Sequence, residues 1–309
     1  MRNAFIFKQY TWLVETILKA RNITFSSLRE EWKETEMSGG LPLSRTTFNR
    51  QRDAVMDMFG LDIECKRKGG NKYYILNEKE LQRETVKNWM FSSLSLNVVL
   101  DDNRRLFNRI LIEKVPSADK YLKQILQAMH GNNIMEMSYK RYDADVAKAY
   151  RCCPYCLKLH NRRWYVAMAV LRDDSETRIQ IFCLDRIVSL VTQQDNFQLP
   201  ANFDAEAFFS DCYGVVVGGA TPPTTIRLRA FGRERYGLQD LPIHHSQRQL
   251  AVGPDYIDYE VCLCPTADFK AFIASKGQWL VVLSPKSVVD DVLAIHQEAI
   301  DKYNNMTLL

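Results

Sequence analysis

The chain has 309 residues, 46% hydrophobic and 25% charged, the make-up of a globular protein with room for two or three domains. Its longest unbroken apolar run, Trp164–Leu171, is far short of the ~20 residues of a membrane span, and Lys8, Gln9 and Tyr10 cut short any secretory leader, so a cytoplasmic location is expected. Residues 1–76 hold 13 of the 41 Lys and Arg but only nine of the 37 Asp and Glu, so the net charge of +4 lies wholly in this first quarter, where it suits a polyanionic partner.

Tyr10–Ala20 reads as a helix, with Leu13 and Ile17, and Val14 and Leu18, each four apart. Thr24 is the expected N-cap of a second helix that places Phe25, Leu28 and Trp32 on one face. After the break at Ser38-Gly39-Gly40-Leu41-Pro42, Ser44 caps a third helix running to Phe59 and stopped by Gly60. At ~100° per residue, Phe48, Gln51, Ala54, Val55, Met58 and Phe59 face a core, while Arg45, Thr46, Asn49, Arg50 and Asp53 occupy the opposite arc. Leu61–Lys66 and Lys72–Leu76 are two short strands around Arg67-Lys68-Gly69-Gly70-Asn71, a glycine-rich basic hairpin. Three helices and a basic hairpin make a winged helix-turn-helix over residues 1–76. Arginine and asparagine suit bidentate contact with guanine and adenine edges. The candidate DNA-binding residues are therefore Arg45, Thr46, Asn49, Arg50 and Arg52 on the helix, with Lys66, Arg67, Lys68 and Lys72 suited to phosphate. The plainer alternative is an amphipathic helix with a solvated face. The two preceding helices and the wing favour DNA.

Residues 77–116 form a connector. Glu80–Leu96 reads as a helix, and Arg104–Ile112 as an apolar stretch ambiguous between helix and buried strand. Such apolar content predicts burial against a neighbouring domain or a second subunit.

In residues 117–213 a helix, Ser117–His130, precedes five short strands: Ile134–Tyr139, Arg151–Leu159, Arg163–Leu171, Arg178–Leu184 and Arg186–Thr192. This is the plan of an Sm-like or SH3-like small barrel. Alternation in the fourth strand assigns Ile179, Ile181 and Cys183 to the core and Arg178, Gln180 and Phe182 to the other face. With Arg163, Tyr165, Tyr139, Arg141, Arg151, His160 and Arg186 they form an aromatic and cationic set of the kind a nucleotide or single-strand site uses. The alternative is ordinary exposed strand faces; for Trp164 and Phe182 taken alone, a place in the core is favoured over a ligand platform.

Trp164-Tyr165-Val166 follows Tyr139, Arg151 and Pro154-Tyr155-Cys156-Leu157 and precedes Phe182-Cys183-Leu184-Asp185-Arg186-Ile187. In that order these motifs resemble the WYL domain of bacterial transcriptional regulators, with Val166 in place of Leu and Cys183 where many relatives carry arginine. The resemblance implies a homodimer held partly by the connector helices and an anionic effector, nucleotide or nucleic acid, at Tyr139, Arg151, Tyr165 and Arg186. His160 and Arg178 complete the candidate effector set.

Cys153-Pro154-Tyr155-Cys156 matches the glutaredoxin redox motif, but here it runs into a strand rather than opening a helix, and strand alternation puts the two thiols on opposite faces. Neither redox nor zinc chemistry is expected, and no metal or cofactor.

Phe203–Tyr213 reads as a helix, followed by the linker Gly218–Pro223. Over residues 222–309 come a strand (Thr225–Ala230), a helix (Gly232–Gln239), two strands (Ile243–Val252, containing His244-His245, and Tyr256–Cys264), a helix (Ala267–Ser275), a strand (Trp279–Leu283) and a final helix (Ser287–Tyr303). That order suggests a ferredoxin-like βαββαβ extension like those found beside WYL domains. Arg227, Arg229, Arg233 and Arg235 could face an effector, or be solvated. The whole is an α+β multidomain chain. With no catalytic triad, phosphate loop or carboxylate pair, it is expected to be not an enzyme but a homodimeric regulator that binds a pseudo-palindromic double-stranded DNA operator. The alternative is an RNA- or single-strand-binding accessory to a nucleic-acid-processing enzyme.

Overall fold

The computed structural model describes residues 2–82, 85–102, 105, 109–111, 119–172, 178–218 and 221–306. They fall into two compact units, Met1–Glu113 and Lys114–Leu309.

In the first unit α1 (Arg2–Ala20) is followed by β1 (Ile23–Thr24), α2 (Phe25–Lys33), α3 (Arg45–Phe59), β2 (Ile63–Lys66), β3 (Lys72–Ile75) and α4 (Val86–Asp102). Local chemistry sets the ends. Thr24 and Ser44 side chains accept the amides of Ser27 and Thr47, and Gly60 closes α3 in the left-handed region at φ 70°. The first helix starts at Arg2 rather than Tyr10 because no breaker precedes Tyr10. The connector helix starts at Val86 rather than Glu80, since Thr85 accepts the Asn88 amide through Oγ1 and the Trp89 amide through its carbonyl. The three strands form an antiparallel sheet in the order β1-β3-β2. Its core gathers Leu13 and Ile17, Leu28 and Trp32, Phe48, Val55 and Phe59, Ile63, Tyr73 and Ile75, and Phe91 of α4. The expected stretch Arg104–Ile112 lies mostly outside the described residues.

The second unit opens with α5 (Asp119–Gly131), whose Tyr121, Ile125 and Ala128 lie on one buried face. Five antiparallel strands follow: β4 (Asn133–Tyr139), β5 (Lys148–His160), β6 (Arg163–Val170), β7 (Arg178–Cys183) and β8 (Ile187–Asn196). They pair in the order β7-β6-β5-β4-β8, a meander whose last strand returns to the first. Asn161 and Arg162, both at positive φ, make the two-residue turn that joins β5 to β6. Helix and sheet enclose Met135, Met137, Cys152, Val166, Met168, Phe182 and Leu184. In the fourth strand Cys183 is buried as expected and Phe182 takes the core place weighed for it alone, but Ile179 and Ile181 are not core. Phe182 is the core residue, 3% exposed and edge-to-face with Tyr139 and Tyr150 at 5.0 and 5.1 Å, whereas Ile179 and Ile181 are half-buried on the opposite face.

The helix expected over Phe203–Tyr213 shrinks to α6 (Ala205–Phe209), capped by Asp204. A second sheet contains β9 (Thr224–Phe231), β10 (Arg248–Val252), β11 (Tyr256–Leu263) and β12 (Leu280–Ser284) in the antiparallel order β10-β11-β9-β12. With α7 (Glu234–Asp240), α8 (Ala267–Ser275) and α9 (Lys286–Asn305), it buries Ile226, Leu228, Tyr259, Val261, Leu263, Phe269, Ile273 and Val288. His244 and His245 lie in the turn before β10, not in a strand. His244 is held there by Ser246 Oγ and the Ser210 carbonyl, each at 2.7 Å.

Candidate nucleic-acid interface and effector cavity

On α3 the buried positions are Phe48, Gln51, Val55 and Phe59, while Arg45, Thr46, Asn49, Arg50 and Asp53 are exposed. Arg52 is half-buried and bound to the Asp53 carboxylate at 2.9 Å. Lys66, Arg67, Lys68 and Lys72 are all exposed around the hairpin tip, where Gly69, Gly70 and Asn71 take positive φ. The helix face and hairpin therefore present an exposed, mainly cationic surface. The cationic character ends toward β2, where Asp53, Asp62 and Glu64 line a shallow cleft with Arg52. Arg45 is the most constrained of the set. Its Nη1 donates to Tyr73 Oη at 2.8 Å, and its guanidinium lies 4.2 Å from the Phe25 ring centroid.

In the second unit, the sheet face opposite α5 carries a cavity of about 430 Å³. Tyr139, Tyr165, Cys183 and Arg186 line it from the sheet side, and Phe208 of α6 with Val215, Val216 and Val217 of the segment after it from the other. Among the described residues, Arg186 is the only charged one in that lining. Its guanidinium lies 3.7 Å from the Tyr142 ring centroid and 5.2 Å from that of Tyr139, and its Nε donates to the Lys140 carbonyl. Tyr139 Oη accepts the buried Cys183 amide at 3.2 Å, and burial raises its pKa. Beside the cavity, Arg163 donates to Asp185 at 2.7 Å and to Tyr142 Oη at 3.0 Å. The covering segment is tied down at two points. Lys158 Nζ donates to the Gly214 carbonyl at 2.6 Å, and Asp268 Oδ2 accepts the Val215 and Val216 amides at 3.2 and 3.3 Å.

Residues 120–192, spanning α5 through most of β8, match the family model of the WYL domain. The chain carries a WYL domain. No curated protein matches the chain. Among solved structures it is similar to the proteasome accessory factor B/C (PafBC) of Arthrobacter aurescens, with 16% identity and a TM-score of 0.42 over 99% of this chain and 48% of that one. It thus spans about half the length of that protein. A CRISPR Cas-related protein is similar over 97% of this chain and 83% of its own, with 10% identity and a TM-score of 0.38.

Of the six candidate effector residues in and around the WYL domain, the fold brings Tyr139, Tyr165 and Arg186 together and leaves three elsewhere. Arg151 pairs with Asp195 at 2.7 Å and lines a different, shallow cleft with Glu136 and Ser189. His160, at the end of β5, packs edge-on against Tyr213, and burial lowers its pKa, with Lys158 adding to the effect. Arg178 is exposed at the start of β7, opposite Val170. Arg141, outside those six, is engaged with Asp143.

The WYL cysteines also differ from expectation. A bulge at Tyr155 makes Cys153 and Cys156 partners of Ala169 and Ala167, so both thiols share one face instead of opposing each other. Burial pushes the Cys156 thiol up to about 11 and Cys152 to about 12, the reverse of what a redox nucleophile needs. The C-terminal arginines are largely engaged by their own module: Arg227 pairs with Glu260, Arg229 with Asp258, and Arg235 with the Gly232 and Pro254 carbonyls, while Arg233 is exposed. Three residues that shape these sites gave no sequence signal for them: Tyr73 under Arg45, Tyr142 over Arg186, and Lys158 beneath the covering segment. Each acts through a tertiary neighbour.

Proposed function

We propose that this protein is a non-enzymatic, homodimeric, sequence-specific DNA-binding transcriptional regulator with an effector-sensing WYL domain. In this reading the first unit is a winged helix-turn-helix, with α3 in the major groove and the β2–β3 hairpin as a wing on the backbone. The five-stranded WYL sheet is the Sm-like barrel, and β9–β12 with α7 and α8 form the ferredoxin-like extension. The observation that carries the reading is the exposed α3 face with Thr46, Asn49 and Arg50, flanked by four exposed cations of the hairpin. A side chain that reads a base edge must be unpaired and solvent-facing before DNA arrives, and phosphate-binding lysines must flank it.

The effector is an anion with an apolar or aromatic body, such as a nucleotide or a short nucleic acid. Arg186 neutralises its charge and Tyr165 and Tyr139 pack against its body, with Val215–Val217 as the opposite wall. The effector changes DNA affinity only if it prefers one arrangement of the two heads. Binding of the full chain to a palindromic duplex, a scrambled duplex and a single strand tests this function. Preference for the palindrome that disappears in Asn49→Ala/Arg50→Ala, with helix content unchanged, is the expected result. Equal binding to all three would refute it.

A further inference from the structure

Arg45 and Arg50 look equivalent in the sequence but are held differently in the fold. At ~100° per residue, Thr46, Asn49, Arg50 and Asp53 point along one outward direction of α3, whereas Arg45 falls on the flank nearest the buried Phe48. Three aromatic rings lie beneath that flank. Phe25 and Tyr73 both pack against Phe48, with centroids 5.4 and 4.7 Å away. The pairing of β1 with β3 sets Ile23 opposite Tyr73, which brings Phe25, just beyond β1, up to the wing. The Arg45 guanidinium rests on this platform, 4.2 Å above Phe25, with Nη1 donating to Tyr73 Oη. One side chain therefore joins the first residue of α3, the first residue of α2 and the wing strand.

We propose that Arg45 and Tyr73 form a preset phosphate anchor that fixes the register of α3 on the duplex, and that Arg45 does not read a base. The inference rests on the DNA-binding reading above. A guanidinium held over an aromatic ring and bonded through one N–H keeps its other donors for an anion. Tyr73, buried in the core, acts through Arg45: its Oη accepts the Nη1 N–H and orients the guanidinium. Because the group is oriented before binding, little side-chain freedom is lost when a phosphate arrives. Ser44 and Thr24 already take up the Thr47 and Ser27 amides, so those two donors do not compete with the Arg45 guanidinium for the anion. Arg52, on the same flank, is engaged with Asp53.

Sequence-resolved affinities of the full chain for a duplex library with a randomised centre, measured at several salt concentrations, test the anchor. Arg45→Ala should weaken every sequence by the same factor, about tenfold, leave their ranking unchanged and reduce the log–log salt slope by about one. Arg45→Lys should restore the slope but only part of the affinity. Tyr73→Phe, which keeps the ring and the fold, should give a smaller uniform loss. Asn49→Ala should instead change preference at one base pair. A changed base preference in Arg45→Ala, or an unaltered affinity, overturns the anchor while leaving DNA binding intact. If the wild-type chain binds no duplex, the DNA-binding reading falls and the anchor with it.

Discussion

Replacing Phe182 by alanine distinguishes the architecture described here from the one that strand alternation suggests. By alternation Phe182 lies on the solvent side, and its loss would cost within about 0.5 kcal/mol. In the structure it is 3% exposed and wedged edge-on between Tyr139 and Tyr150. Truncating a buried phenylalanine costs about 3–5 kcal/mol, through lost burial and the cavity left behind. The two ring contacts place this site toward the upper end of that range. With a urea dependence of about 3 kcal/mol per molar, the midpoint for the second unit should fall by roughly 1.3–1.7 M. Hydrogen exchange of β6 peptides across a urea series isolates this unit from the first. Ile181→Ala, half-buried on the opposite face, should cost only about 1–2 kcal/mol. If Phe182→Ala proves no worse than Ile181→Ala, the assignment of faces in the WYL sheet is wrong.

Burial holds the His160 pKa below its ordinary 6.5, so the unfolded chain binds the proton more readily than the native one. The stability of the second unit should therefore fall as pH drops through 6.5 toward the native value, and His160→Gln should reduce that slope in pH-resolved thermal melts, the remainder coming from His244, whose pKa burial also lowers. Among the eight cysteines, the exposed Cys262 and half-exposed Cys65 should react readily with a thiol reagent in the native protein, and the six buried thiols only after denaturation. Fast labelling of Cys153 or Cys156 in peptide mapping would contradict their placement. Arg186→Ala should abolish calorimetrically detected binding of an oligonucleotide or nucleotide to the WYL domain, and Arg151→Ala should leave it largely unchanged because Arg151 lies outside the cavity.

What could be read in the chain depended on how local the cause was. Thr24, Ser44 and Gly60 act within one helical turn, and the ends of α2 and α3 fell where those residues indicated. The order of elements in residues 222–309 was equally legible, because Gly and Pro separate strongly patterned runs. The faces of the WYL sheet were not. α5 covers one side and the segment from Phe208 to Val217 lies against the other, so both faces of β7 are apolar and period-two alternation does not say which is the core. The extra residue at Tyr155 reverses the facing of every position after it in β5, and nothing in Cys153-Pro154-Tyr155-Cys156 announces a bulge. For the candidate sites, residue type identified Tyr139, Tyr165 and Arg186 but also Arg151, whose partner Asp195 is distant in the sequence. The setting of Arg45 required the pairing of β1 with β3, and a two-residue strand leaves no pattern to detect.

The central claim is that the exposed cationic surface of α3 and the hairpin reads duplex DNA. Selecting fragments of the source genome with the full chain and sequencing those retained tests it most directly. The account predicts enrichment of one motif with two half-sites in inverted orientation, their centres one helical turn or a multiple of it apart, and loss of that enrichment in Asn49→Ala/Arg50→Ala. Retained fragments that match the input pool at every salt concentration would contradict it.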